Sequence, residues 1–108
     1  MSYQVESIEN FEREAKRLKK KFPSLKEEIG DLTDSLEENP FIGTCMKDGF
    51  HKIRLKIKSK GKSGGARVIT CVRVTSKAVY LVSIYDKSEQ TDISDEELDR
   101  IFKVILDE

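Results

Sequence analysis

The sequence predicts an α+β fold in which a helical hairpin packs on a mainly antiparallel sheet and one further helix follows. Three observations predict it. Apolar residues recur at helical spacing up to residue 36, alternate with period two from residue 50, and return to helical spacing after residue 94. The chain has 108 residues, enough for one domain and too few for two, so 1–108 is read as a single domain. The predicted element order is β-α-α-β-β-β-α.

Each element has its own signal. Tyr3–Ile8 reads as an edge strand. Phe11, Ala15, Leu18 and Phe22 then form an apolar stripe at i, i+4, i+7 and i+11, with Glu12, Arg13, Lys16, Arg17 and Lys20 around it. Pro23 breaks that helix, and Ser24-Leu-Lys-Glu27 has the form of a capping box that starts a second. Leu25, Ile29, Leu32 and Leu36 carry its stripe, and Asn39-Pro40 ends it. The second helix is acidic, which argues against a DNA recognition helix.

From residue 50, Ile53, Leu55 and Ile57 alternate with Lys52, Arg54, Lys56 and Lys58. That pattern describes a half-buried strand with a cationic outer face. His51 shares the apolar parity and is expected to pack there. A Gly/Lys/Ser loop over 59–65 leads to the β-branched run Arg67–Val74, and Thr75-Ser76-Lys77 turns into Ala78–Tyr85. The glycines of the loop are expected to serve a hairpin turn needing positive φ. Ser94–Glu97 is a second capping box, and Leu98, Ile101, Phe102 and Ile105 face inward on the last helix.

Charge is balanced overall and segregated along the chain. Lys+Arg and Asp+Glu number 20 each, yet residues 1–46 carry net −3, residues 47–77 net +9 and residues 78–108 net −6. Ten cations against Asp48 alone in the middle segment exceed what an ordinary mixed surface supplies. Such a block attracts a polyanion, of which nucleic acid is the commonest in cytosol; a solvated lysine-rich loop is the plainer reading.

Several chemistries are excluded. Uncharged runs reach only about eight residues, far below the roughly 20 that cross a bilayer, and Met1–Ser7 holds no apolar leader core. No membrane association is expected, and the compartment is read as cytoplasmic. Cys45 and Cys71 make no disulfide framework or zinc spacing. A Ser-His-Asp site would rest on His51 alone. Gly61-Lys62-Ser63 ends like a nucleotide-binding P-loop, but the first glycine of that motif falls on Lys56 and a strand follows. No metal or other cofactor is expected.

What remains is the cationic strand face. Lys52, Arg54 and Lys56 are neighbours roughly 7 Å apart. Arg67 opens the next strand, and Lys87, just past Tyr85, closes the group if the strand ends meet. Crowded cations lower a lysine's pKa and free it to act as a base. An arginine stabilises the charge of a phosphorane. Metal-free RNA cleavage needs a base for the 2′-OH, charge stabilisation and an acid for the 5′-oxygen. On residues alone, the pattern describes an anion-binding sheet.

Gly49-Phe-His-Lys-Ile-Arg-Leu, Lys60-Gly-Lys-Ser-Gly-Gly-Ala-Arg-Val-Ile and Leu81-Val-Ser-Ile-Tyr-Asp-Lys-Ser-Glu resemble the RelE/ParE superfamily of bacterial toxin–antitoxin toxins, in its RelE/HigB-like branch. The resemblance spans nearly the whole chain. It implies a toxin that cuts mRNA in the ribosomal A site without a metal and is held inactive by a cognate antitoxin of helix-turn-helix type. Lys52 and Arg54 fall on the family's two strand lysines, Arg67 on its strand-opening arginine and Lys87 on its later arginine. These four are the expected catalytic residues. Lys56, Lys58, Lys60, Lys62, Arg73 and Tyr85 are the expected RNA-binding residues. The family's C-terminal tyrosine position falls near Ile93, so that group is missing. Two other functions share the fold: a ParE-like inhibitor of DNA gyrase that cuts nothing, and an inactive RNA- or antitoxin-binding relative. The clustered cations favour RNA cleavage over the first, and the missing tyrosine keeps the second open.

Overall fold

The computed structural model describes residues 3–60 and 65–106. Strand β1 (Gln4–Ser7) is followed by helices α1 (Glu9–Lys21) and α2 (Leu25–Glu38). Strands β2 (Thr44–Cys45), β3 (Phe50–Lys56), β4 (Gly65–Arg73) and β5 (Ala78–Asp86) come next, then helix α3 (Asp95–Leu106). The expected order holds with one addition, the two-residue β2. Its pairing with β3 follows a tight reversal in which Met46 N–H donates to Phe50 O at 2.7 Å.

The sheet runs β1-β5-β4-β3-β2. The β3–β4–β5 meander is antiparallel as expected, whereas β1 pairs parallel with β5. Alternation then sorts the side chains. His51, Ile53 and Leu55 on β3 are buried on one face. Phe50, Lys52, Arg54 and Lys56 lie on the other, where α3 brings Phe102 edge-on to Phe50 at 6.1 Å. The α1–α2 hairpin covers the first face, and α3 packs at the Phe50 end of the second. His51 packs with the core side, its Nδ1 3.2 Å from Gly49 O and its ring against Phe41.

One capping box forms and the other does not. Glu97 N–H donates to Ser94 Oγ at 3.1 Å, as its sequence predicts. The Ser24 hydroxyl caps no backbone group of α2; it meets Ser59 Oγ at 2.8 Å and accepts from Ser59 N–H at 3.0 Å. Glu28, buried, accepts from Lys58 N–H at 2.7 Å. These bonds tie the start of α2 to the turn at Lys58–Lys60.

The sheet edge is closed in an unusual way. β1 pairs with β5 only as far as Leu81. Beyond it, α1 takes over: Asn10 Nδ2 donates to Val82 O at 2.9 Å, and Glu14 Oε1 accepts from Ile84 N–H at 3.2 Å and Ser83 Oγ at 2.9 Å. Burial pushes the Glu14 carboxyl pKa up, against the lowering effect of those bonds.

Gly65 begins β4 opposite Lys56. Sequence placed it in a turn with positive φ; its backbone is not left-handed, and a different constraint requires glycine. β3 passes so close that an added Cβ would collide with the Leu55 carbonyl oxygen. Gly65→Ala is expected to cost about 1–3 kcal/mol as an overpacked contact, read as a lowered melting temperature. An unchanged melting temperature would show that the backbone yields freely. Gly61 and Gly64 lie outside the described residues.

Candidate functional site

Pairing in the meander lines up the basic residues across three strands. Arg54 stands opposite Arg67, and Arg67 opposite Tyr85. With strands about 4.8 Å apart, the three occupy a line of roughly 10 Å. The next pair toward the open end is Lys56 with Gly65, whose carbonyl accepts from Lys87 N–H at 3.3 Å. Toward α3, Lys52 stands opposite Ile69. Lys52, Arg54, Lys56, Arg67 and the backbone of Lys87 thus converge at one end of the sheet.

Two features of this line work against stability. Like charges directly opposite on a sheet are destabilising, and Arg54 faces Arg67. The Tyr85 side chain is 3% exposed and its hydroxyl makes no more than a weak hydrogen bond to Asp92, so part of the desolvation cost of a buried hydroxyl stands. Local conflicts of this kind collect at functional sites. The Tyr85 hydroxyl lies beside the Asp92 carboxylate and near Arg67; burial first, then Asp92, pushes its pKa up. Arg67 is half-buried, with a long contact of 3.3 Å from its Nη1 to Ala66 O.

Asp92, in the loop between β5 and α3, went unnoticed in the sequence. Its Oδ1 lies 3.1 Å from Lys52 Nζ and accepts from Ile93 N–H at 2.9 Å. That backbone bond foremost, then Lys52, holds its carboxyl below the usual carboxylate range. The cationic crowding expected around Lys52 is therefore met by a counter-charge on the neighbouring loop. Nothing in the sequence separates Asp92 from the other acids of residues 78–108; only the fold brings it over β3. Ile93, where the tyrosine of the resembled family falls, is buried in the core.

Other expected RNA-binding residues are dispersed. Arg73 ends β4 opposite Ala78, about 20 Å from Arg67 along the strand, and lies over the Phe102 ring at 5.4 Å. β3 stops at Lys56, so Lys58 sits on the turn held by Glu28 and does not extend the strand row. Lys62 and the side chain of Lys60 lie outside the described residues. Among the described residues no helix is long and apolar enough to cross a membrane, and no group of His, Cys, Asp or Glu is placed to hold a metal.

Comparison with known proteins gives consistent results. The family model described as "RelE toxin of RelE / RelB toxin-antitoxin system" matches residues 4–105. The toxin chain matched in the intact E. coli RelBE toxin–antitoxin complex superimposes with TM-score 0.62 at 19% identity, covering 79% of this chain and 96% of that one. The isolated E. coli RelE toxin gives TM-score 0.61 at 17% identity, covering 95% and 99%. At these identities the structures speak for the fold.

Proposed function

This chain belongs to the RelE toxin family of toxin–antitoxin systems, and from that premise we propose that it is a metal-independent endoribonuclease that cuts mRNA on the ribosome. The observation that supports the reading best is the cross-strand line Arg54–Arg67–Tyr85 with Lys52 beside it. Arg54 and Arg67 stabilise the negative charge that builds on the phosphoryl oxygens as the ribose 2′-oxygen attacks, its proton passing to solvent water. Lys52, Lys56 and Lys87 hold the neighbouring phosphates. Tyr85, kept protonated by burial and reached by the RNA once Asp92 moves off its hydroxyl, gives a proton to the departing 5′-oxygen. The tyrosine function missing at Ile93 is thereby assigned to the end of β5. The proposed partners are the ribosome, mRNA and a cognate antitoxin of helix-turn-helix type, and the compartment is the cytoplasm.

Purified protein added to ribosomes programmed with mRNA is expected to shorten the transcript, and expression of the chain alone to stop protein synthesis first. Prompt loss of DNA synthesis with translation intact would favour gyrase inhibition instead. Lys56→Ala tests the phosphate-holding role. It is expected to weaken ribosome association a few-fold and to reduce the slope of log affinity against log salt by about 0.7–0.9, one fewer counterion being released. An unchanged slope would leave Lys56 as a solubilising residue.

A further inference from the structure

A site for phosphates ought to present free cations, and this one presents one of its lysines already neutralised. Lys52 Nζ and Asp92 Oδ1 are 3.1 Å apart, with side chains 29% and 58% exposed. An exposed ion pair of this kind ordinarily contributes little to stability, partly because two flexible side chains must be ordered to form it. Here the acid is ordered beforehand. Ile93 N–H holds the carboxylate, Gln90 Nε2 donates to the Asp92 carbonyl oxygen at 2.9 Å, and Ile93 itself is anchored in the core. The carboxylate is thus fixed against the line of cations, beside the Tyr85 hydroxyl.

We propose that Asp92 is a built-in counter-anion that occupies the phosphate position of Lys52 and so makes the site discriminate against RNA free in solution. The inference rests on the nuclease reading and deepens it. A free, flexible strand must displace a carboxylate that is already ordered, and it gains a single contact in return. A strand already held extended on a larger particle has its ordering cost met elsewhere and brings several phosphates at once, so Asp92 is displaced only in that setting. One fixed negative charge thereby biases the site toward a presented substrate.

The test is binding of a short, uncleavable 2′-O-methyl RNA to the full chain, with Asp92→Asn, Lys52→Ala and the double variant. Asparagine keeps the oxygen that accepts from Ile93 N–H, so the loop retains its anchor. Asp92→Asn is expected to bind free RNA about two- to fivefold tighter at moderate salt, with a salt slope steeper by about 0.7. Lys52→Ala is expected to change free-RNA binding little in the wild-type background and to erase the gain when combined with Asp92→Asn. Equal affinity of wild type and Asp92→Asn, or an equal effect of Lys52→Ala in both backgrounds, overturns the proposal. Cleavage of ribosome-bound mRNA by the wild-type protein is scored separately. Its absence counts against the nuclease reading, while the binding cycle alone decides the role of Asp92.

Discussion

Arg67→Ala is expected to slow single-turnover mRNA cleavage on the ribosome by about 10²–10³ while the protein stays folded, the usual consequence of removing a group that stabilises transition-state charge. Arg67 sits at the centre of the line, between Arg54 and Tyr85. Its guanidinium is held within the fold by no more than the long 3.3 Å contact to Ala66 O among the described residues. Removing it also relieves the opposition of two cations across β3 and β4. Stability should therefore change by no more than about 0.5 kcal/mol, as for most surface substitutions. Arg67→Lys keeps the charge and loses the planar fork, so partial activity is the expected result. Full cleavage by folded Arg67→Ala would remove Arg67 from the reaction.

Tyr85→Phe is expected to lower cleavage by about 10², at the low end for loss of a proton-transfer group. Here stability and activity should move in opposite directions. The hydroxyl is buried with no more than a weak hydrogen bond to Asp92, and replacing such a group by hydrogen lifts most of a desolvation penalty. The melting temperature should hold or rise. A variant both stable and fully active would show that the hydroxyl carries no proton in the reaction. A variant that loses stability would show that it has a partner in solution.

The helical stripes and the strand alternation were legible because each is a local repeat of apolar side chains against water. The pairing of Arg54 with Arg67 was half-legible: a hairpin had to bring them near, but register depends on the residues at its turn. β2 was not legible, since two residues carry no period. Ser24 looked like a cap because the motif is local, and lost that role to Ser59, 35 residues away. Arg73 looked like part of the basic face, but it ends β4, six residues along the strand from Arg67, where it lies over Phe102. Asp92 was invisible for a related reason: its significance is its nearness to Lys52, 40 residues earlier. Asn10 and Glu14 read as ordinary polar positions on α1, and only the unpaired stretch of β5 explains them.

The parallel pairing of β1 with β5 also limits when the proposed site can assemble. Gln4 is made early and its partner Ala78 comes 74 residues later, an interval of about 4–15 s at ordinary rates of bacterial synthesis. Tyr85 and Asp92 emerge later still, so the line is complete only after more than three-quarters of these 108 residues have been made. Such non-local pairings also slow folding once the chain is whole. The maker of this protein is the machine it is proposed to attack, and the topology delays assembly of the proposed site until late in each round of synthesis.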